Sequence, residues 1–187
     1  MWAPGPEEDA TFLTRSPTRP QCVSRRSCLL AGLGLGASMA LPVQSAAVGQ
    51  VADWPSVRLL DGTILEPDSW RAQASVVVFW ATYCPYCKRH NAHIDKLARA
   101  TAGQHLRILG VALDTDEQAV RRYMAANDYR FPVTMDGTSL RAQLGLRSVI
   151  PMTCVLDRAG RLVQAIPGEM FEADVLGFAK FASTGAT

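Results

Sequence analysis

The stretch Ser75-Val76-Val77-Val78-Phe79-Trp80-Ala81-Thr82-Tyr83-Cys84-Pro85-Tyr86-Cys87-Lys88 decides the fold. Its first half is a continuous β-branched and aromatic run, the pattern of a strand buried on both faces and central in its sheet. From Pro85 to about Thr101 the spacing changes. Cys87, His90, Asn91, Ile94, Leu97, Ala98 and Thr101 share one helical face, with Lys88, Arg89, Lys96 and Arg99 off it. Two cysteines three apart therefore sit where a buried strand hands over to an amphipathic helix. Pro85, its φ preset, suits the first helical position and forfeits no hydrogen bond there. The unpaired N–H groups of that first turn and the helix dipole favour a thiolate at Cys84, below the free-thiol pKa of about 8.5. Cys87 lies further into the helix and suits the resolution of a mixed disulfide formed by Cys84.

Working outward, residues 57–60 and 63–65 flank Asp61-Gly62, a dipeptide of tight hairpin turns. Residues 106–113 read as a second apolar strand, and Asp114-Thr115-Asp116-Glu117 supplies the cap and acidic first turn of a helix reaching about Asn127. A short strand is expected over 131–135 and a short helix over 138–144, stopped by Gly145. Residues 153–156 and 162–166 form a hairpin around Asp157-Arg158-Ala159-Gly160. A last helix over 171–181 turns Phe171, Val175 and Phe178 inward. The order ββαβαβαββα predicts an α/β fold, a central mixed sheet flanked by helices with an N-terminal β-hairpin extension.

The first 47 residues read as an address. Residues 1–23 hold four prolines and no apolar period, so a disordered leader is expected. Then come Ser24-Arg25-Arg26-Ser27, an apolar run of 13 residues over 29–41, and the small residues Ser45-Ala46-Ala47. Basic, apolar, small is the layout of an export signal. The run is shorter than the ~20 residues of a membrane span and contains Gly32, Gly34 and Gly36. Arg25 and Arg26 resemble the twin-arginine export motif. Cleavage near Ala47 leaves 48–187 as one soluble domain in the periplasm or cell envelope, where a cysteine pair can cycle as a disulfide.

Composition removes other classes. Formal net charge is +2 over 187 residues, with no basic stripe, so no nucleic-acid partner is expected. Five cysteines are too few for a disulfide framework in a chain that can bury a core. Zinc would want four ligands, and His90, His93, His105 and Cys154 form no second pair at ligand spacing. A static structural disulfide is the other reading of the pair, but a strand-to-helix apex exposes such a bond. Cys154, inside a strand, reads as a small buried apolar residue. His93 and His105 read as surface residues, while His90, one turn after Cys87, is a candidate proton relay.

At these residues the chain resembles the thioredoxin superfamily, specifically the exported TlpA-like and ResA-like thiol-disulfide oxidoreductases, over about residues 50–182. The resemblance rests on Phe-Trp-Ala-Thr-Tyr-Cys-Pro-Tyr-Cys-Lys at 79–88, Ser-Val-Ile-Pro-Met-Thr at 148–153, Val-Leu-Asp-Arg-Ala-Gly-Arg-Leu-Val at 155–163, and Gly168. It implies a thioredoxin fold and a catalytic set of Cys84, Cys87 and Pro151, the last a cis-proline facing the disulfide. It implies a substrate groove of Trp80, Tyr83, Pro85, Tyr86 and Ile150. It implies no metal or cofactor beyond the redox-active Cys84–Cys87 disulfide. The partners it implies are a disulfide-bearing protein substrate and a membrane thiol donor of the DsbD or CcdA type, serving a monomer that works in the reducing direction. The chain departs from that pattern at Val78 and His90, where thioredoxins and ResA-like reductases respectively carry a carboxylate. Two other functions use the same cysteines. One is a redoxin-type peroxidase, although Ala81 stands where those enzymes have Thr. The other is a copper chaperone with two soft thiolate ligands.

Overall fold

The computed structural model describes residues 48–183 apart from 50, 52 and 72. The leader, Arg25, Arg26 and the cleavage position at Ala47 lie outside the described residues. The elements run β1 (Val57–Arg58), β2 (Ile64–Leu65), β3 (Ala74–Trp80), α1 (Pro85–Ala100), β4 (Leu106–Ala112), α2 (Glu117–Ala126), β5 (Val133–Thr134), α3 (Gly137–Leu144), β6 (Met152–Leu156), β7 (Leu162–Pro167), α4 (Glu172–Leu176) and α5 (Lys180–Ser183). β1 and β2 pair as the expected hairpin. The other five strands form one sheet in the order β5-β4-β3-β6-β7. β3 pairs in parallel with β4, and β4 with β5, while β3–β6 and β6–β7 are antiparallel. The sheet is mixed, and the fully buried β3 is its centre, as its unbroken apolar run requires.

Alternation along β3 divides the core in two. Val76, Val78 and Trp80 face a cluster with Ile94 and Leu97 of α1, Val120 of α2, and Val175 and Phe178 near the C-terminus. Val77 and Phe79 face a second cluster with Leu140 and Leu144 of α3, Trp54 and Trp70. Gly110 of β4 is what lets Trp80 lie flat: a Cβ there would stand 2.7 Å from Phe131 and 2.9 Å from the Trp80 indole nitrogen.

Three local features differ from the sequence expectations. A 3-10 turn over Pro67–Arg71 buries Trp70, which stacks on Trp54 at 4.7 Å, so the N-terminal segment is anchored by aromatic rings as well as by its hairpin. The last helix breaks at a 3-10 segment, Gly177–Ala179, between α4 and α5. Phe171, expected inward, is 82% exposed, because it stands before α4 in extended conformation (φ −65°, ψ 149°) and so outside the helical phase that buries Val175.

Candidate active site

Strand β3 delivers the chain to the edge of the core, and a turn carrying a Cys84 N–H to Ala81 carbonyl bond of 3.2 Å leads into α1. Cys84 is the N-cap of that helix (φ −91°, ψ 114°) and Pro85 its first residue. Cys84 and Cys87 are joined as a disulfide, with 5.2 Å between their Cα atoms. The Cys87 N–H also donates to Cys84 Sγ at 3.2 Å, so an otherwise unpaired amide of the first helical turn points at that sulfur. The two cysteines are unequal: Cys84 keeps 7% exposure and Cys87 none. Around them Tyr83 is 74% exposed, and Pro85 and Tyr86 are exposed as well.

The second wall comes from far along the chain. The last ladder pair between β3 and β6 is Phe79–Met152, so one step further Pro151 comes alongside Trp80, four residues before Cys84. The Ile150–Pro151 peptide is cis. Pro151 is buried and accepts a 2.8 Å hydrogen bond from the Gly168 N–H, while Ile150 is half-buried and Val149 exposed. Trp80 is corrected. It was expected to line a substrate groove, but it is wholly buried, because its indole packs down on Gly110 and Tyr123.

His90 is wholly buried and held at both nitrogens. Nδ1 accepts from the Met170 N–H at 3.3 Å, so the ring proton sits on Nε2, which faces Thr153 Oγ1 at 3.0 Å. Burial, with a smaller contribution from His93, lowers its pKa from 6.5 to about 4. Thr153 pairs across the sheet with Val78, so a neutral His–Thr pair stands where the two carboxylate positions of the resemblance converge. Segment 168–172 is strapped to α1 at further points. Arg89 pairs with Glu169, which lies below its usual carboxylate range through that contact. His93 Nδ1 donates to the Met170 carbonyl at 3.2 Å, and Lys96 pairs with Glu172 at 2.6 Å. His105 is exposed, whereas His93 is half-buried in this strap.

Two groups escaped the reading of the sequence. Asp114 looked like part of a helix cap, yet Asp116 caps α2 through the Gln118 N–H at 2.8 Å. Asp114 instead accepts from both the N–H and the hydroxyl of Thr82, pinning the loop two residues before Cys84. Asp95, on the buried side of α1, pairs with Arg99 and accepts from the Arg130 N–H at 2.6 Å. Local acidity marks both residues as polar, and only the tertiary fold supplies their partners. Cys154 is buried as expected, its thiol pushed up to about 12 by burial. Among the described residues no group of three or more His, Cys, Asp or Glu side chains could hold a metal ion, and no helix is long and apolar enough to cross a membrane.

Residues 47–177 match the family described as Redoxin. The chain belongs to the Redoxin family. Thiol-disulfide oxidoreductase ResA of Halalkalibacterium halodurans is 29% identical over 120 residues, 64% of this chain and 68% of that protein. ResA of Bacillus subtilis is 22% identical over 161 residues, 85% of this chain and 90% of that one. Among solved structures, StoA from Bacillus subtilis superposes with a TM-score of 0.59 at 20% identity, covering 66% of this chain and 94% of its own. A thiol:disulfide interchange protein of the thioredoxin family from Chlorobium tepidum gives 0.64 at 24% identity, covering 74% and 99%. The resemblance read from the sequence holds: this Redoxin-family chain has the thioredoxin fold, is ResA-like, and is a thiol-disulfide oxidoreductase.

Proposed function

We propose that this oxidoreductase reduces protein disulfides in the cell envelope, with Cys84 attacking and Cys87 resolving. The observation that carries the reading is the asymmetry of the pair, one cysteine at the opening of α1 and the other fully buried a turn inside it. The Cys84 thiolate attacks one sulfur of a substrate disulfide. That S–S bond breaks, the leaving sulfur departs as a thiolate and takes a proton, and a mixed disulfide remains. The Cys87 thiolate then attacks Cys84 Sγ, which frees the second substrate thiol and closes Cys84–Cys87. Two electrons have passed to the substrate, and a membrane thiol donor of the DsbD or CcdA type returns them.

In this reading the exposed Tyr83, Pro85 and Tyr86 form one lip of the substrate groove, and Pro151 shapes the other with the Ile150 backbone offered to an extended segment. His90 stays neutral between about pH 6 and 8. Its two engaged nitrogens support a positioning role, tying α1 to β6 and to segment 168–172, over the proton relay expected from its spacing. Trapping with Cys87→Ala in the native cell tests the whole: it should accumulate mixed disulfides between Cys84 and envelope proteins. Their absence, or copper binding by the reduced protein without insulin-disulfide reduction, overturns the reading. Export through Arg25 and Arg26 predicts that changing both to Lys holds the precursor in the cytoplasm, and normal processing of that variant defeats the twin-arginine route.

A further inference from the structure

At the end away from the disulfide the sheet has an open edge. β3 and β4 run in parallel toward the cysteines, so Leu106, Arg107 and Ile108 lie at the start of β4, at the opposite end of the sheet. β5 covers β4 only at Gly110 and Val111. The Gly110 N–H donates to the Pro132 carbonyl at 2.8 Å, which fixes the side of β4 that faces β5. Backbone groups alternate along a strand, so the N–H and C=O groups of Leu106 and Ile108 point to that same side. The ladder stops because Pro132 has no N–H to give to the Ile108 carbonyl. Among the described residues no backbone hydrogen bond continues it below Gly110.

A groove lies along this edge. The three β4 residues line a cavity of about 650 Å³ whose walls include Ala98 of α1, Phe131 and Leu65 of β2. Side chains alternate as well. Leu106 and Ile108 face the α1 side of the sheet with Ala98 and Phe131, whereas Arg107 turns to the other face. There its guanidinium lies 5.3 Å from the centre of the Trp70 ring and donates to the Ser69 carbonyl at 2.9 Å. Arg99 and Arg130 also line the cavity, but both are paired with Asp128. Arg107 forms no ion pair among the described residues, and burial lowers its pKa below the ordinary 12.5. Its charge is therefore partly desolvated with no counter-charge beside it, and none of the residues lining the cavity is acidic.

Open sheet edges accept extended peptides by strand addition, in which main-chain hydrogen bonds supply affinity and alternate side chains supply specificity. We infer that this edge docks an extended acidic segment of a partner protein, seated as a strand beside Leu106 and Ile108 with a carboxylate opposite Arg107. The alternation of β4 sets the pattern of the segment as apolar, acidic, apolar, with the apolar side chains on the α1 side and the acidic one on the Arg107 side. Two features select this occupant. The edge offers donors and acceptors at strand spacing, which a lipid chain or a small anion leaves unpaired, and the charge around the cavity is wholly positive. The surface lies apart from the cysteines and does not rest on the direction of thiol exchange. A partner held here leaves Cys84 open, so docking tethers the enzyme and raises the effective concentration of whatever disulfide that partner presents.

The test is titration of the full chain with a capped, fluorescein-labelled peptide, Thr-Val-Glu-Val-Thr, read by anisotropy, with amide hydrogen exchange to locate it. The peptide should bind and slow exchange at the Leu106 and Ile108 amides. Replacing its Glu with Lys, or N-methylating its backbone, should weaken binding by about tenfold or more. Arg107→Met, which keeps an aliphatic stem over Trp70, should weaken the Glu peptide by a similar factor and leave the Lys peptide unchanged. Should that variant fail to fold, the peptide comparison on the unaltered protein still decides. Insulin-disulfide reduction should run at the same rate with the peptide bound. No binding up to about 1 mM, equal binding of the Glu, Lys and N-methylated peptides, or protection at the cysteines in place of β4 overturns the inference. Amides at 106 and 108 that become protected as the protein concentration alone rises give the edge to a second copy of the chain, and overturn it too. Binding is read without turnover, so its failure leaves the thiol-exchange reading standing.

Discussion

Cys84 and Cys154 are both shielded from solvent, on opposite faces of the sheet, yet the backbone treats them differently. Cys154 lies within β6, paired in register with Val77 of β3 on one side and Ala165 of β7 on the other, so the surrounding amides are committed to ladder bonds. Its sulfur meets apolar side chains of the α3 face, and burial alone raises its pKa. Cys84 lies where β3 has ended and α1 is starting, and an N–H of the first turn reaches its sulfur. Exposure does not separate them by much. What separates them is whether the backbone still has unspent donors to stabilise a thiolate.

The sharpest way to break this comparison is substitution at each site. Cys84→Ser should lower insulin-disulfide reduction by at least about a thousandfold, since no group replaces the nucleophile. Cys154→Ser should leave turnover within about twofold. Comparable losses at both sites would end the distinction. Alkylation kinetics sharpen it further. In the reduced native protein Cys84 should react first, Cys87 more slowly, and Cys154 only after denaturant is added, as peptide mapping would read. Early labelling of Cys154 would mean that the strand does not seal it.

Two pH predictions follow from the same contrast between charge-accepting and charge-refusing sites. The folded-state pKa of Cys154 is raised from 9.0 to about 12. Its contribution to stability is therefore complete below about pH 9 and is lost as pH climbs toward 12. The loss should approach about 4 kcal/mol at the upper end, from ~1.4 kcal/mol per pKa unit. Urea denaturation should show that loss shrinking in Cys154→Val, and an identical alkaline slope in both proteins would refute the assignment. His90 works at the other end. Its folded-state pKa is lowered from 6.5 to about 4, so its stability contribution is present above 6.5 and is lost as pH falls through that window, by about 3 kcal/mol. His90→Gln should flatten the acid limb between those values, and an unchanged limb would place the titration elsewhere.

The Cys-Pro-Tyr-Cys segment was legible because its signal is local: a buried apolar run, a proline suited to the first helical position, and a helical period beginning at once. The element order was legible for the same reason. Trp80 was not, since an aromatic beside a redox pair can as well lie in a groove as under it, and the choice was made by Gly110 and Tyr123 on other elements. Asp114 misled because an acid before a helix normally caps it, and here Asp116 does so while Thr82 takes Asp114. Phe171 misled because the periodic pattern was carried one residue past the helix start.

The strap from Gly168 to Glu172 has a consequence for the conditions under which the enzyme works. It touches Pro151 at one end and α1 along the other, so the separation of the two lips of the proposed groove would be set partly by contacts on the surface. Arg89–Glu169 and Lys96–Glu172 are exposed enough for dissolved ions to compete with them, and the screening length shrinks from about 8 Å in physiological salt to about 3 Å at 1 M. The fit of a bulky substrate should accordingly depend on ionic strength, while exchange with a small disulfide that needs no groove should not.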